Sequence, residues 1–168
     1  MNNVSITPSY SMVRLIDTAP GDLILLPDYE NNLSPCLIIT FLFDEDEETA
    51  FLELTANYNI HLITQHRSLN VLKVNDHWRF RLLNRIPSDF KQHSFDTPRG
   101  VLIIGRNGIL FNSVMDPATG FIIDHVMVDI KNSKVIQNKD LNASVCFYSK
   151  WKIETRSDAS EPWQELCP

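Results

Sequence analysis

The sequence predicts a mainly β fold: a single-domain antiparallel barrel or sandwich with one or two short helices. Asn107-Gly108 stands between the apolar runs Val101–Ile104 and Ile109–Phe111. This is the strongest short-range hairpin signal, because both central residues of a type I′ turn take positive φ. A second turn sequence, Asp116–Gly120, precedes another run from Phe121 to Ile130, so Gly100–Ile130 reads as three consecutive antiparallel strands. Roughly eight or nine strand candidates follow one another at the spacing of antiparallel barrels and sandwiches. They do not alternate with long amphipathic helices, which argues against a doubly wound fold.

The 168 residues, 43% of them hydrophobic, suit one globular domain with a substantial core. No linker rich in Pro, Gly or Ser divides the chain. The reading is a flexible segment over 1–12, a β-rich domain over 13–156 and a polar C-terminal tail over 157–168.

Taken in order, the first strand is Gly21–Pro27, bounded by Pro20-Gly21 and Pro27. Asp28–Ser34 reads as a polar loop, and Pro35 opens a second strand, Cys36–Phe43. That strand is apolar at successive positions, which predicts a central strand covered on both faces. The acidic run Asp44–Glu48 reads either as a solvated turn into a strand or as the first turn of a helix. The strand is preferred, with Ala50, Leu52 and Leu54 facing inward. The run lacks the glycine and the alternate-residue ligands of an EF-hand loop. Residues 57–73 suit strand and helix about equally, and Asn75-Asp76 reads as a turn.

The next strand is two-faced. Trp78, Phe80 and Leu82 form a core face, opposite His77, Arg79, Arg81 and Leu83. Ile86–Lys91 suits one helical turn capped by Ser88, and Lys131–Lys134 is a further turn. A last strand spans Ser144–Arg156. Val145, Phe147, Trp151 and Ile153 share one face; Ser144, Tyr148, Lys150, Lys152, Glu154 and Arg156 share the other. Trp163 stands isolated in the polar tail.

Charge and cysteine content narrow the function classes. Fifteen Lys and Arg against 21 Asp and Glu give a net charge of −6. That disfavours nucleic acid as a partner, since phosphate contacts need clustered cations. The N-terminus lacks the basic and apolar regions of a signal peptide, and Cys36–Phe43 is far shorter than the roughly 20 apolar residues of a membrane span. Three cysteines, at 36, 146 and 167, make no CxxC or zinc spacing and suit a reduced, cytoplasmic setting. Cys36 and Cys146 sit in apolar strand patterns as small hydrophobes.

Few residues offer chemistry. The histidines at 61, 66, 77, 93 and 125 form neither HxH nor HExxH, so no metal and no cofactor are expected. There is no phosphate-binding glycine loop and no GxSxG. Asp124 and His125 are neighbours in a strand pattern and so point to opposite faces, while His125 and Asp129 lie about 13 Å apart along a strand. Asp124 interrupts the apolar face of Ile122, Val126 and Val128, where an acid must be paired, exposed at an edge or shifted in pKa. The best interaction surface is the basic row His77, Arg79 and Arg81 with Arg85, because adjacent guanidinium groups can hold a carboxylate or phosphate bidentately. A neighbouring strand bearing Lys150, Lys152 and Arg156 would widen this row; one bearing Glu53 would neutralise it.

Gly21-Asp22-Leu23-Ile24-Leu25-Leu26, a loop, and Pro35-Cys36-Leu37-Ile38-Ile39 resemble the opening of the PemK-like toxin endoribonucleases. The resemblance covers about 20 residues and implies a small β-barrel that cuts messenger RNA. That family carries a catalytic, phosphate-contacting Arg directly before the Pro, where this chain has Ser34. The residues therefore point first to a non-catalytic binding or interaction module, whose partner is another protein or a second copy of the chain joined through an edge strand. A small hydrolase or nuclease is the alternative.

Overall fold

A computed structural model describes residues 9–27, 32–43, 46–55, 58–66, 68–86, 99–105, 108–115, 126–136 and 146–166. Its strands are β1 (Tyr10–Arg14), β2 (Leu23–Pro27), β3 (Leu33–Phe43), β4 (Asp46–Glu53), β5 (Asn59–Leu62), β6 (Asn70–Val74), β7 (His77–Ile86), β8 (Leu102–Gly105), β9 (Gly108–Met115), β10 (Val126–Asp129), β11 (Lys134–Ile136), β12 (Cys146–Arg156) and β13 (Gln164–Glu165). Helix among the described residues is limited to the 3-10 turns Leu15–Asp17 and Ile63–Gln65. The fold is mainly β, as the alternation predicts. The helical turn expected at Ile86–Lys91 falls, from residue 87 on, outside the described residues.

All thirteen strands belong to one sheet, in the order β1-β6-β2-β3-β11-β10-β9-β8-β12-β13. β4 pairs with the other edge of β3 and with β5, β5 runs parallel to the end of β9, and β7 pairs with β12. Two routes of pairing thus join β3 to β9, one through β11 and β10 and one through β4 and β5. Asn75-Asp76 is not a hairpin turn. β6 pairs with β1 and β2, whereas β7 pairs with β12, so these two residues carry the chain from one end of the sheet to the other.

β3 is buried on both faces because it is apolar at successive positions. Leu37, Ile39 and Phe41 enter the main core with Ala50, Leu52 and Leu54 of the β4 segment, the face on which those three are expected. Cys36 and Ile38 enter a second core with Leu15, Ile24, Phe51, Ile63 and Val71, which draws on both 3-10 turns. Pro35 does not open the strand, which begins at Leu33, inside the stretch read as a loop. Pro35 pairs with Leu25, and its carbonyl accepts the Leu54 N–H. Proline forfeits only a donor, and at this position its acceptor does the pairing.

β8, β9 and β10 are the antiparallel unit expected at Gly100–Ile130. The hairpin register is shifted by one residue from the expected turn. Gly105 pairs with Gly108, so Gly108 (φ +115°) closes the ladder and is not a central turn residue. Gly100 has a stricter requirement. Its φ is +75°, and a Cβ there would lie 2.4 Å from the Tyr58 ring. Its carbonyl accepts the Trp151 indole N–H at 2.8 Å.

β12 departs from simple alternation. Register shifts flank Lys150, so Phe147 packs with Val101, Ile103 and Met127 while Tyr148, Trp151 and Ile153 face the main core. A bulge inserts a residue and exchanges the faces, which is why Phe147 and Trp151 do not share the side that spacing assigns them. The stretch expected to be a polar tail also belongs to the sheet: Gln164 and Glu165 pair with Thr155 and Glu154, and Leu166 is buried in the main core.

Candidate binding face

From His77 to Leu82 β7 alternates as its sequence demands, and at Leu83 its ladder with β12 shifts register. Phe80 stacks edge-on against Trp151 (5.0 Å) and Trp78 (5.6 Å), and Phe111 lies at the centre of the same cluster, 5.6 Å from Trp151. This aromatic packing fixes the inner face of β7 and turns Arg79 and Arg81 outward. The strand beside them is β12, which is the widening arrangement: Arg79 lies opposite Glu154, Arg81 opposite Lys152 and His77 opposite Arg156.

Glu154 organises this face. Its side chain is 5% exposed, whereas those of Arg79 and Arg81 are 48% and 61% exposed. Arg79 donates from Nε and Nη2 to Oε2 at 3.0 and 2.7 Å, and Arg81 donates from Nη1 to Oε1 at 3.1 Å. Burial pushes the Glu154 carboxyl up, but the hydrogen bonds and charges of the two guanidinium groups outweigh it and hold the pKa below the ordinary value. Each oxygen is occupied, and Arg81, 61% exposed, reaches its oxygen through Nη1 alone.

Trp163 is not isolated. Arg79 and Arg156 both lie over its ring, 4.2 and 4.4 Å from the centroid, an arrangement that favours both cations. Lys152 pairs with Glu165 at 2.6 Å, and Lys150 is exposed beyond it. The face therefore carries Arg79, Arg81, Lys152 and Arg156 against Glu154 and Glu165, with Asp158 acting on Arg156 from the loop that follows β12. Of the remaining expected site residues, His77 borders it opposite Arg156. His77 is exposed at the start of β7 and lines a separate polar cleft with Asp22, Lys73 and Asp76. The backbone of Arg85 continues β7, and Asp124 lies outside the described residues. Alternation alone puts Glu154 among the cations of the outer face; what it cannot show is that the glutamate is buried and shared by two arginines. Trp163 has no periodic neighbours to mark it.

An apolar cavity of about 310 Å³ lies beneath β7. Trp78, Phe80 and Leu82 form one wall and Leu102, Ile104 and Ile109 the other, with Arg79 also lining it. The three β7 side chains are only half-buried.

Elsewhere, Cys36 and His61 are packed against neighbouring side chains. Burial, then the charge of Glu53, pushes the Cys36 thiol far up, so it stays protonated and unreactive. His61 stacks on Phe51 at 4.9 Å with Nε2 3.2 Å from Glu53. No group of three His, Cys, Asp or Glu side chains among the described residues is placed to hold a metal. In the segment that resembles the PemK-like toxins, Asp22 accepts the Ala19 N–H at 2.9 Å and pairs with Lys73 at 2.8 Å. Among the described residues, no helix is long and apolar enough to cross a membrane. Compared with known proteins, the chain matches no family model, no curated protein and no solved structure.

Proposed function

We propose that this chain is a non-catalytic binding module of the reduced cytoplasm that takes an acidic protein surface on the outer face of β7 and β12. One observation carries the reading: Arg79 and Arg81 stand half-exposed over the buried Glu154, beside Lys152 and Arg156, on a chain whose net charge is −6. Such a local reversal of sign steers a complementary partner and sets its register. Glu154 is a positioning residue here. It holds the Arg79 and Arg81 forks in fixed directions, which lowers the entropy lost when they meet a carboxylate. The overall negative field disfavours a polyanion as long as RNA.

A hydrolase or nuclease is the second reading, favoured by the polar cleft where Asp22, Lys73, Asp76 and His77 converge. Arg79 and Arg81 lie outside the lining of that cleft, and Asp22 and Lys73 neutralise one another within it. The two readings separate in one experiment. Immobilised protein is challenged with native lysate at low and high salt, beside the double variant R81E/K152E. Retention of a stoichiometric protein by the parent at low salt, lost in the variant and at high salt, supports the module. Cleavage of a labelled single-stranded RNA by the parent and not by H77A, or retention of nucleic acid in place of protein, overturns it.

A further inference from the structure

We infer that β7 receives its partner by strand addition, from an extended segment that alternates acidic with apolar side chains. The inference rests on the binding reading above and specifies its mode.

β7 is ten residues long and hydrogen-bonds along one edge to β12. Among the described residues no strand pairs with its other edge. An edge that no described strand covers offers N–H and C=O groups that another backbone can complete. The two faces beside that edge are chemically opposite. On one side Trp78, Phe80 and Leu82 border the 310 Å³ cavity, which Leu102, Ile104 and Ile109 also line and which Arg79 reaches. On the other, Arg79 and Arg81 stand half-exposed over Glu154.

Side chains of an added strand alternate with a period of two. Every second residue would therefore meet the cavity and want to be apolar, and those between would meet the arginines and want to be acidic. A second copy of this chain fits poorly, because pairing β7 with β7 brings two rows of arginines onto one face, and like charges across a ladder are destabilising. RNA fits poorly as well, because it has no peptide backbone to complete the edge.

The test uses the full chain and synthetic peptides of about nine residues. One alternates Glu with Val and Ile, one replaces every Glu by Lys, and one carries a central Pro in the acidic sequence. Binding is followed by fluorescence anisotropy, and backbone hydrogen exchange is read across β7. The acidic peptide should bind, slow exchange in β7 and lose roughly tenfold in affinity in the variant Arg81→Gln, whose amide can still donate to Glu154 and whose fold is checked by a thermal melt. The Lys peptide should not bind. The Pro peptide should be weakened by roughly tenfold or more, since it lacks an N–H for the ladder. Equal binding of the acidic and Pro peptides, with β7 exchange unchanged, overturns strand addition while leaving the basic-face reading intact. Binding of the Lys peptide as tightly as the acidic one overturns both. A concentration-dependent dimer that protects β7 without any peptide replaces the partner strand with a second copy and also overturns the inference.

Discussion

The β3–β4 ladder and the β7–β12 ladder are both long antiparallel pairings, yet they place their side chains in opposite circumstances. β3 is apolar on both faces, and where Leu37–Ile39 pair with Ala50–Leu52 the ladder separates two cores and is committed to packing, while its far end, with Leu42, Asp46 and Glu47, is exposed. β7 and β12 bury one face around Phe80 and Trp151 and present the other as arginines and lysines on a single buried glutamate. A strand covered on both sides can serve only as scaffold. A strand covered on one side can hold charged groups in fixed positions and still show them to a partner.

The contrast predicts a graded response to mutation. Ile38→Ala, at a position with no exposure in the second core, should cost about 2–5 kcal/mol, measured as the shift in urea midpoint. A loss well under that range would mean the second core is loosely packed and the two ladders are alike.

Glu154→Ala should cost less, toward the lower end of about 1.5–3 kcal/mol, because its arginine partners are half-exposed and keep water as an alternative. The same group gives a pH signature. A carboxyl whose pKa is lower folded than unfolded contributes stability at neutral pH, and that contribution disappears as pH falls through the carboxylate range, below about pH 4. Glu154→Gln should therefore flatten the acid limb of a stability–pH curve. An unchanged limb would show that the arginines do not stabilise the ionised form.

Trp163→Ala should remove about 0.5–1 kcal/mol of cation–aromatic attraction, read in thermal melts, and leave Arg79 held by Glu154 alone. The smallest change is expected of Leu83→Ser, exposed on the outer face of β7, within about 0.5 kcal/mol. A large loss there would mean the outer face is a packed surface.

Legibility in the sequence follows the range of the forces involved. The two faces of β7, the double burial of β3 and the inward set Ala50, Leu52 and Leu54 were readable, since each follows from a period of two in one short segment. The hairpin at Gly105–Gly108 was readable to within one residue, because an Asn-Gly pair signals a turn more firmly than its register. The faces of β12 were not readable past Tyr148, because a bulge breaks the period and has no fixed residue signature. Pro35 misled for a related reason: a proline marks a strand's start only when its missing N–H would otherwise be needed.

By itself, then, the sequence determined the fold class, the apolar faces and the presence of a basic row on one strand, all consequences of local alternation and turn chemistry. Tertiary structure alone decided which strands became neighbours. It placed β12 rather than β4 beside β7, buried Glu154 beneath two arginines 73 and 75 residues away in the chain, and folded Trp163 back onto the same guanidinium groups. Such pairings depend on the balance of burial over the whole sheet, and no local pattern records it.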